Sequence, residues 1–460
     1  MTPYLKVFAG AFLLLAVIAG FNAAIDPYGI YQLVRSDGIN WPKSEMSRNV
    51  KMHKAYRVAK IRPEAVVLGT SRAAFGIDPD HEGWGSEQPG YNFALAGAGP
   101  YVTRRFLQHA QSVNPLKEAV FGLDFFTFNV MRPVAPDYRG DFLLVDDAGQ
   151  PNQFFKQKIM SASLLSMDAL NASVSTIKST GKNPVMIDNK GMFYVKAGKN
   201  YLHTAFLNME KLYLNYVYLS GKKREYAFTD STSGKSSLEE FRKLVIFGRD
   251  NGIDVHYFIS PPHAQQLEVI RVLGLWPLFE QWKREIMAIL EEEGIGNPLW
   301  DFSGYNSVTT DDISQPGDHY YRDSTHYNSR TGDLVLSRIF HLQDKQVPED
   351  FGVILKPGNI EEHLLSIRAA QSRYHDRYPE NVLEIEQLAQ EAGVDEQDIV
   401  IRLASSDSKA RWFRSRHRDS PVSRALRDYE SGMPLEAVYQ KYGITGEIFS
   451  TWKTKYDRNM

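Results

Sequence analysis

The sequence predicts an α/β fold: a mostly parallel sheet with flanking helices, preceded by an apolar N-terminal helix and followed by a helical C-terminal extension. Three observations predict it. Short apolar runs that read as buried strands, "AVVLG" from Ala65, "AVFGLDFF" from Ala119 and "DVHYFIS" from Asp254, alternate with stretches of helical spacing. Residues 7–25, "VFAGAFLLLAVIAGFNAAI", carry no charge and approach the ~20 residues that a bilayer-crossing helix needs. Beyond about residue 346 the chain changes to helix–turn–helix spacing around glycines.

Composition narrows the class. At 460 residues the chain has room for several domains, or for one large α/β domain with an extension. Hydrophobic residues at 43% imply a substantial core rather than a disordered chain, and a net charge of -2 names no partner. The absence of cysteine excludes disulfides, thiolate chemistry and thiolate zinc sites.

In the N-terminal segment Asn22 is the only strongly polar residue. A cleaved signal peptide is the rival to an anchor, but cleavage after Ala24 would put Asn22 where a small residue is preferred, and "IDPYGIY" follows without a spacer. The pattern therefore predicts an uncleaved anchor over residues 1–26. Lys6 before the span is balanced by Arg35 and Lys43 after it, so charge does not set the orientation. With no second apolar segment of that length, everything after Asp26 shares one compartment.

A linker and helix over 27–62 include "KMHKAYRVAKI" and lead through Pro63 to the first strand. The sheet domain is expected over 63–345. "YNFAL" from Tyr91 reads as its second strand, followed by "AGAGP" and a helix near Tyr101; "SLEEFRKLVIFGRDNG" is the helix before the fourth strand. Tyrosine-rich sequence at about 133–236 interrupts this rhythm and reads as an insertion that caps the sheet and walls a cleft.

Ligands of open α/β sheets bind beyond the carboxyl ends of the strands, and Ser71 in "VVLGTSRAAFG" stands directly after such an end. It either caps the next helix or acts as a nucleophile. Downstream, "YYRDSTHYNSRTGDLVLSRIF" places Asp323 and His326 three residues apart at a helix entry. That spacing lets a carboxylate reach one imidazole nitrogen and leaves the other to take a serine proton. Alone, the pair also fits an aspartate near a helix start beside a surface histidine.

Together, a serine after the first strand and a late Asp-x-x-His resemble the SGNH/GDSL hydrolase superfamily over about residues 64–342. The resemblance implies a triad of Ser71, His326 and Asp323, with Gly97 of "NFALAGAGP" as an oxyanion donor. The third family block departs: Gly122-Leu123-Asp124 stands where Gly-x-Asn is expected. An ionised carboxylate cannot donate to an oxyanion, so Asp124 must be protonated, turned away or replaced, with Asn129 in "FFTFN" the favoured substitute. "WDFSGYN" and "FISPPHAQ" look like the membrane-anchored branch, the alginate-type O-acetylation proteins and the D-alanine transfer protein of teichoic acid modification. That branch implies a single-pass inner-membrane protein with a periplasmic body, no cofactor, and a cell-surface polysaccharide or its acyl donor as partner. A membrane acyltransferase is a further partner in this view.

Arg72 follows the serine and either binds a carboxylate or phosphate of an anionic glycan, stabilises developing negative charge, or closes the first helical turn through an ion pair. His263 in "SPPHAQ" either approaches the cleft or is an ordinary loop histidine. His319 and His326 could pair on a metal, but no acidic or histidine cluster completes a site and none is expected. The extension, 346–460, pulls elsewhere. Its segment at about 421–456 resembles a transposase-type helix–turn–helix, and "KARWFRSRHR" from Lys409 interleaves five Lys/Arg with aromatics, as a polyanion binder or the solvated face of a small bundle. Binding of genomic DNA needs cytoplasmic placement, which the envelope enzyme denies, so DNA is not an expected partner. Three functions compete: an anchored O-acyltransferase or esterase, a non-catalytic binding or assembly factor of the same fold, and a membrane-tethered DNA-binding regulator.

Overall fold

The computed structural model describes residues 2–85, 90–179, 185–195, 202–219, 225–342, 346–394, 401–402, 428–429 and 433–442. The basic stretch at 409–418 and most of the segment at 421–456 lie outside these residues.

Helix α1 (Pro3–Ile25) coincides with the apolar segment and is long and apolar enough to cross a membrane. Its side chains are exposed except near the C-terminal end, where Asn22 and Ile25 are buried. The buried amide is satisfied: Asn22 Nδ2 donates to Leu164 O at 2.9 Å and Ser173 Oγ donates to Asn22 Oδ1 at 2.7 Å. Past its end, the Asp26 carboxylate accepts from the backbone N–H of Ile30, Tyr31 and Gln32, and Lys43 Nζ donates to the carbonyls of Ile25 and Asp26.

The sheet domain follows as α2 (Val50–Ile61), β1 (Ala65–Leu68), α3 (Ser71–Gly76), β2 (Tyr91–Asn92), α4 (Pro100–Val113) and β3 (Glu118–Leu123). The inserted stretch holds α5 (Phe155–Met160), α6 (Met167–Lys178), the hairpin β4 (Met186–Ile187) and β5 (Phe193–Tyr194), α7 (Leu202–Leu212) and β6 (Tyr226–Ala227). The sheet resumes through α8 (Ser237–Asp250), β7 (Asp254–Ile259), α9 (Ala264–Val272), α10 (Trp276–Glu292), β8 (Leu299–Asp301), α11 (Ser329–Ile339) and β9 (Val353–Leu355). Helices α12 (Ile360–Arg377) and α13 (Pro379–Glu391) come next.

Strand order in the six-stranded sheet is β2-β1-β3-β7-β8-β9, parallel throughout except for β9, which runs antiparallel to β8. β1 and β3 are apolar on both faces, as strands covered by helices on each side must be, and Val66, Val67, Leu68, Val120 and Phe121 are buried. Taken in chain order, the parallel strands run 2-1-3-4-5, and the order reverses between β1 and β3. Such a reversal leaves a crevice beyond the carboxyl ends, where ligands of open α/β sheets bind.

Several elements differ from the sequence expectation. "YNFAL" forms a strand only at Tyr91–Asn92, although Phe93 N still donates to Val67 O and Leu95 N to Gly69 O. "DFF" leaves the sheet as a 3₁₀ turn, Phe125–Phe128, once Asp124 is drawn into an ion pair. The inserted stretch does meet the sheet edge, where Asn92 N donates to Lys190 O of the β4–β5 hairpin. The start of the C-terminal extension shares the main core: Leu364, Ile385 and Leu388 pack in it, and His363 Nε2 lies 2.9 Å from Asp301 Oδ2 at the end of β8.

Candidate active site

β1 ends at Leu68, and Gly69 turns the chain with φ +140°, a conformation that side chains rarely adopt. A Cβ there would also stand 3.0 Å from Gly122 O of β3. The following helix is capped by Thr70, whose Oγ1 accepts from Arg72 N at 3.2 Å. Thr70 therefore fills the capping role that the sequence left open for Ser71, and the Ser71 hydroxyl is directed elsewhere.

It meets His326. Ser71 Oγ lies 2.8 Å from His326 Nε2, across 255 positions of sequence. On the other side of the ring, Nδ1 is 2.8 and 3.0 Å from the two carboxylate oxygens of Asp323. The carboxylate also accepts from the backbone N–H of Thr325 and His326, so the Asp-x-x-His loop is folded around it. Burial works to raise the Asp323 pKa, but His326 and these N–H donors hold it below the usual carboxylate value. An ionised Asp323 accepts a hydrogen bond from Nδ1–H, which leaves the Nε2 lone pair facing the serine hydroxyl. Phe75 packs edge-on against the imidazole at 5.1 Å and limits its rotation.

No protein-family model and no curated protein matches the chain.

The remaining residues singled out in the sequence take other places. Arg72 does not face a ligand: it is buried, with Nη1 donating to Asp124 Oδ1 at 2.7 Å and Nε and Nη2 donating to Thr325 Oγ1 at 2.9 and 2.6 Å. Burial opposes its charge, yet Asp124 raises its pKa, so the guanidinium stays ionised. Asp124 is likewise enclosed, accepting from Thr70 Oγ1 as well as Arg72. The pair braces the residues just before Ser71 and His326, since Thr70 precedes the serine and Thr325 precedes the histidine.

Asn129 is spent too. Its Nδ2 donates to Tyr218 O and to Glu225 O at 2.8 Å each, which uses both amide protons and ties the 3₁₀ turn to the inserted stretch. His263 caps α9, with Nδ1 accepting from Gln265 N and Nε2 placed 2.8 Å from Asp311 O. Burial lowers its pKa to about 4, so it is a neutral structural residue rather than a cleft group. His319 sits 3.3 Å from Asp311, a different partner from that of His326. Gly97 lies in the loop after β2 with φ +63°, and that loop is tied to the Ser71 turn through the Leu95 N to Gly69 O bond.

Sequence reasoning missed three neighbours. Tyr213, just past α7 in the inserted stretch, accepts from Thr325 Oγ1 at 3.1 Å and packs edge-on against Phe126, so the inserted stretch touches the residue before His326. Arg132 lies over Phe126 beside Gly97. Glu210 of α7 is fully buried with neither carboxylate oxygen hydrogen-bonded, and burial, reinforced by Glu384 and Asp323, raises its pKa to about 8. Nothing in local sequence marks them, because each matters only through its long-range neighbours.

Proposed function

We propose that the chain is a membrane-anchored serine esterase or O-acyltransferase of SGNH type, acting outside the cytoplasmic membrane on acyl esters of a cell-envelope polysaccharide. The observation that carries this reading is the continuous hydrogen-bond relay from Ser71 through His326 to Asp323 at the sheet crevice. Helix α1 supports the membrane attachment.

In the proposed reaction His326 Nε2 takes the Ser71 proton as Oγ attacks the ester carbonyl, and Asp323 stabilises the imidazolium. The tetrahedral intermediate collapses, the C–O bond to the alcohol breaks, and Nε2 returns the proton to the leaving oxygen. An acyl-serine remains. A sugar hydroxyl or water, deprotonated in turn by His326, then attacks the acyl carbon and releases Ser71.

One observation favours a non-catalytic binding or assembly factor instead: neither Asp124 nor Asn129 has a side-chain proton free for an oxyanion. A single experiment decides between the two. A fluorophosphonate probe should label Ser71 of the full chain and not the Ser71→Ala protein, and a p-nitrophenyl ester should release a burst of p-nitrophenol. Absence of both label and burst in the wild-type protein, folded by circular dichroism, would leave the binding factor standing.

A further inference from the structure

Two arginines approach the ring of Phe126, and among the described residues only one of them has a counter-ion. Arg72, 5.3 Å from the ring centroid, is neutralised by Asp124. Arg132, 5.0 Å from it, has no acidic partner among the described residues, and its one side-chain hydrogen bond there is a long donation of 3.4 Å from Nη1 to Phe126 O. Burial lowers the Arg132 pKa, and the nearby Tyr213 and Tyr226 offset this only in part. Arg132 is only half-buried, and a guanidinium partly withdrawn from water with no carboxylate beside it keeps donors free for an arriving anion.

The location gives this cation a use. Arg132 Nη2 lies 3.6 Å from the position that a Cβ on Gly97 would occupy, an ordinary contact distance, so the guanidinium borders the Gly97 loop. Gly97 belongs to the loop that Leu95 ties to Gly69, two residues before Ser71. The unpaired fork thus borders the crevice that holds the relay. We propose that Arg132 is an anion-binding residue that receives a carboxylate or phosphate carried by the substrate beside the ester attacked by Ser71. The inference rests on the serine-esterase reading and specifies its substrate as anionic. A permanent anion fits better than the transient oxyanion, because the uncompensated charge is present at rest and not only during turnover.

Calorimetric titration of the full chain in detergent micelles with inorganic phosphate and with acetate tests this. The proteins compared are wild type, Arg132→Gln, Arg132→Lys and a control, Arg139→Gln, which removes a half-exposed arginine paired with Asp141. Wild type and control should bind at least one anion saturably. Arg132→Gln should bind it at least about tenfold more weakly, and Arg132→Lys should recover part of the loss, since lysine keeps the charge but not the bidentate fork. Binding of phosphate alone points to a phosphate-bearing substrate, and of acetate alone to a carboxylate-bearing one. No saturable binding to wild type, or equal binding by Arg132→Gln, overturns the proposal. So does a collapse of ester turnover in Arg132→Gln at unchanged anion affinity, which would assign the guanidinium to the oxyanion. Fluorophosphonate labelling of the same samples separates the two readings: label without anion binding fails Arg132 alone, and anion binding without label fails the serine.

Discussion

Ser71 and His326 are each flanked by a threonine that holds the Arg72–Asp124 pair, so the reacting groups are positioned by a charge pair that does not itself react. Removing one partner leaves the other buried and uncompensated. Arg72→Met should therefore destabilise the protein by about 3–5 kcal/mol in urea unfolding, and pairing it with Asp124→Leu should restore part of that loss. Asp323→Asn is expected to behave differently: a near-unchanged unfolding midpoint with ester turnover reduced by about 10⁴-fold, because the amide favours the wrong imidazole tautomer. Loss of stability in Asp323→Asn comparable to that of Arg72→Met would recast Asp323 as structural. At this scale the sequence was readable for Ser71, Asp323 and His326, whose order and spacing carry meaning along the chain. It was silent for Thr70 and Thr325, left Arg72 open between a ligand and an ion pair, and was misleading for Asn129, since only folding decides whether a polar side chain meets another chain segment or the crevice.

Between elements, the short helix that carries Ser71 meets the helix that follows His326 at two glycines. A Cβ on Gly332 of α11 would overlap the carbonyl of Gly76 at the end of α3, and one on Gly76 would overlap the ring of Tyr327. Gly332→Ala should force the helices apart, costing about 1–3 kcal/mol in stability and lowering ester turnover through a longer Ser71–His326 distance. Retained turnover at reduced stability would show that the contact fixes packing but not the relay. Helix α7 supplies a pH test. Glu210 has its pKa raised from 4.5 to about 8 in the fold, so its protonated form is favoured by folding. Its contribution is full below about pH 4.5 and is lost as pH rises through 8. Wild type should therefore melt several degrees lower at pH 9 than at pH 6, and Glu210→Gln should flatten that difference. An identical slope in the variant would place the titration elsewhere. Strands β1 and β3 were legible because burial on both faces writes apolar runs, and β7 because its second half, Tyr257–Ile259, is buried in the same way. The short strands were harder: β2 was read from "YNFAL" but is only two residues long, while β8 and β9, three residues each, went unread, and β9 runs antiparallel within the stretch assigned to the helical extension.

For the whole molecule, the proposed function requires all residues after α1 to lie outside the cytoplasm. Alkaline phosphatase, which matures only there, should be active when fused after Lys455; an inactive fusion beside an active cytoplasmic reporter at the same site would revive the DNA-binding alternative. The join between α1 and the body has a further consequence. Asn22 is bonded to Leu164 and Ser173, and Lys43 closes the carbonyls of Ile25 and Asp26, so α1 ends inside the fold rather than on a slack tether. In a bilayer such a strut fixes both the height of Ser71 above the lipid and the tilt of the crevice. The protein could drift laterally and spin about the membrane normal, but it could not lean or reach, and under the proposed function its chemistry would be confined to one thin stratum beside the lipid, to which the substrate would have to come.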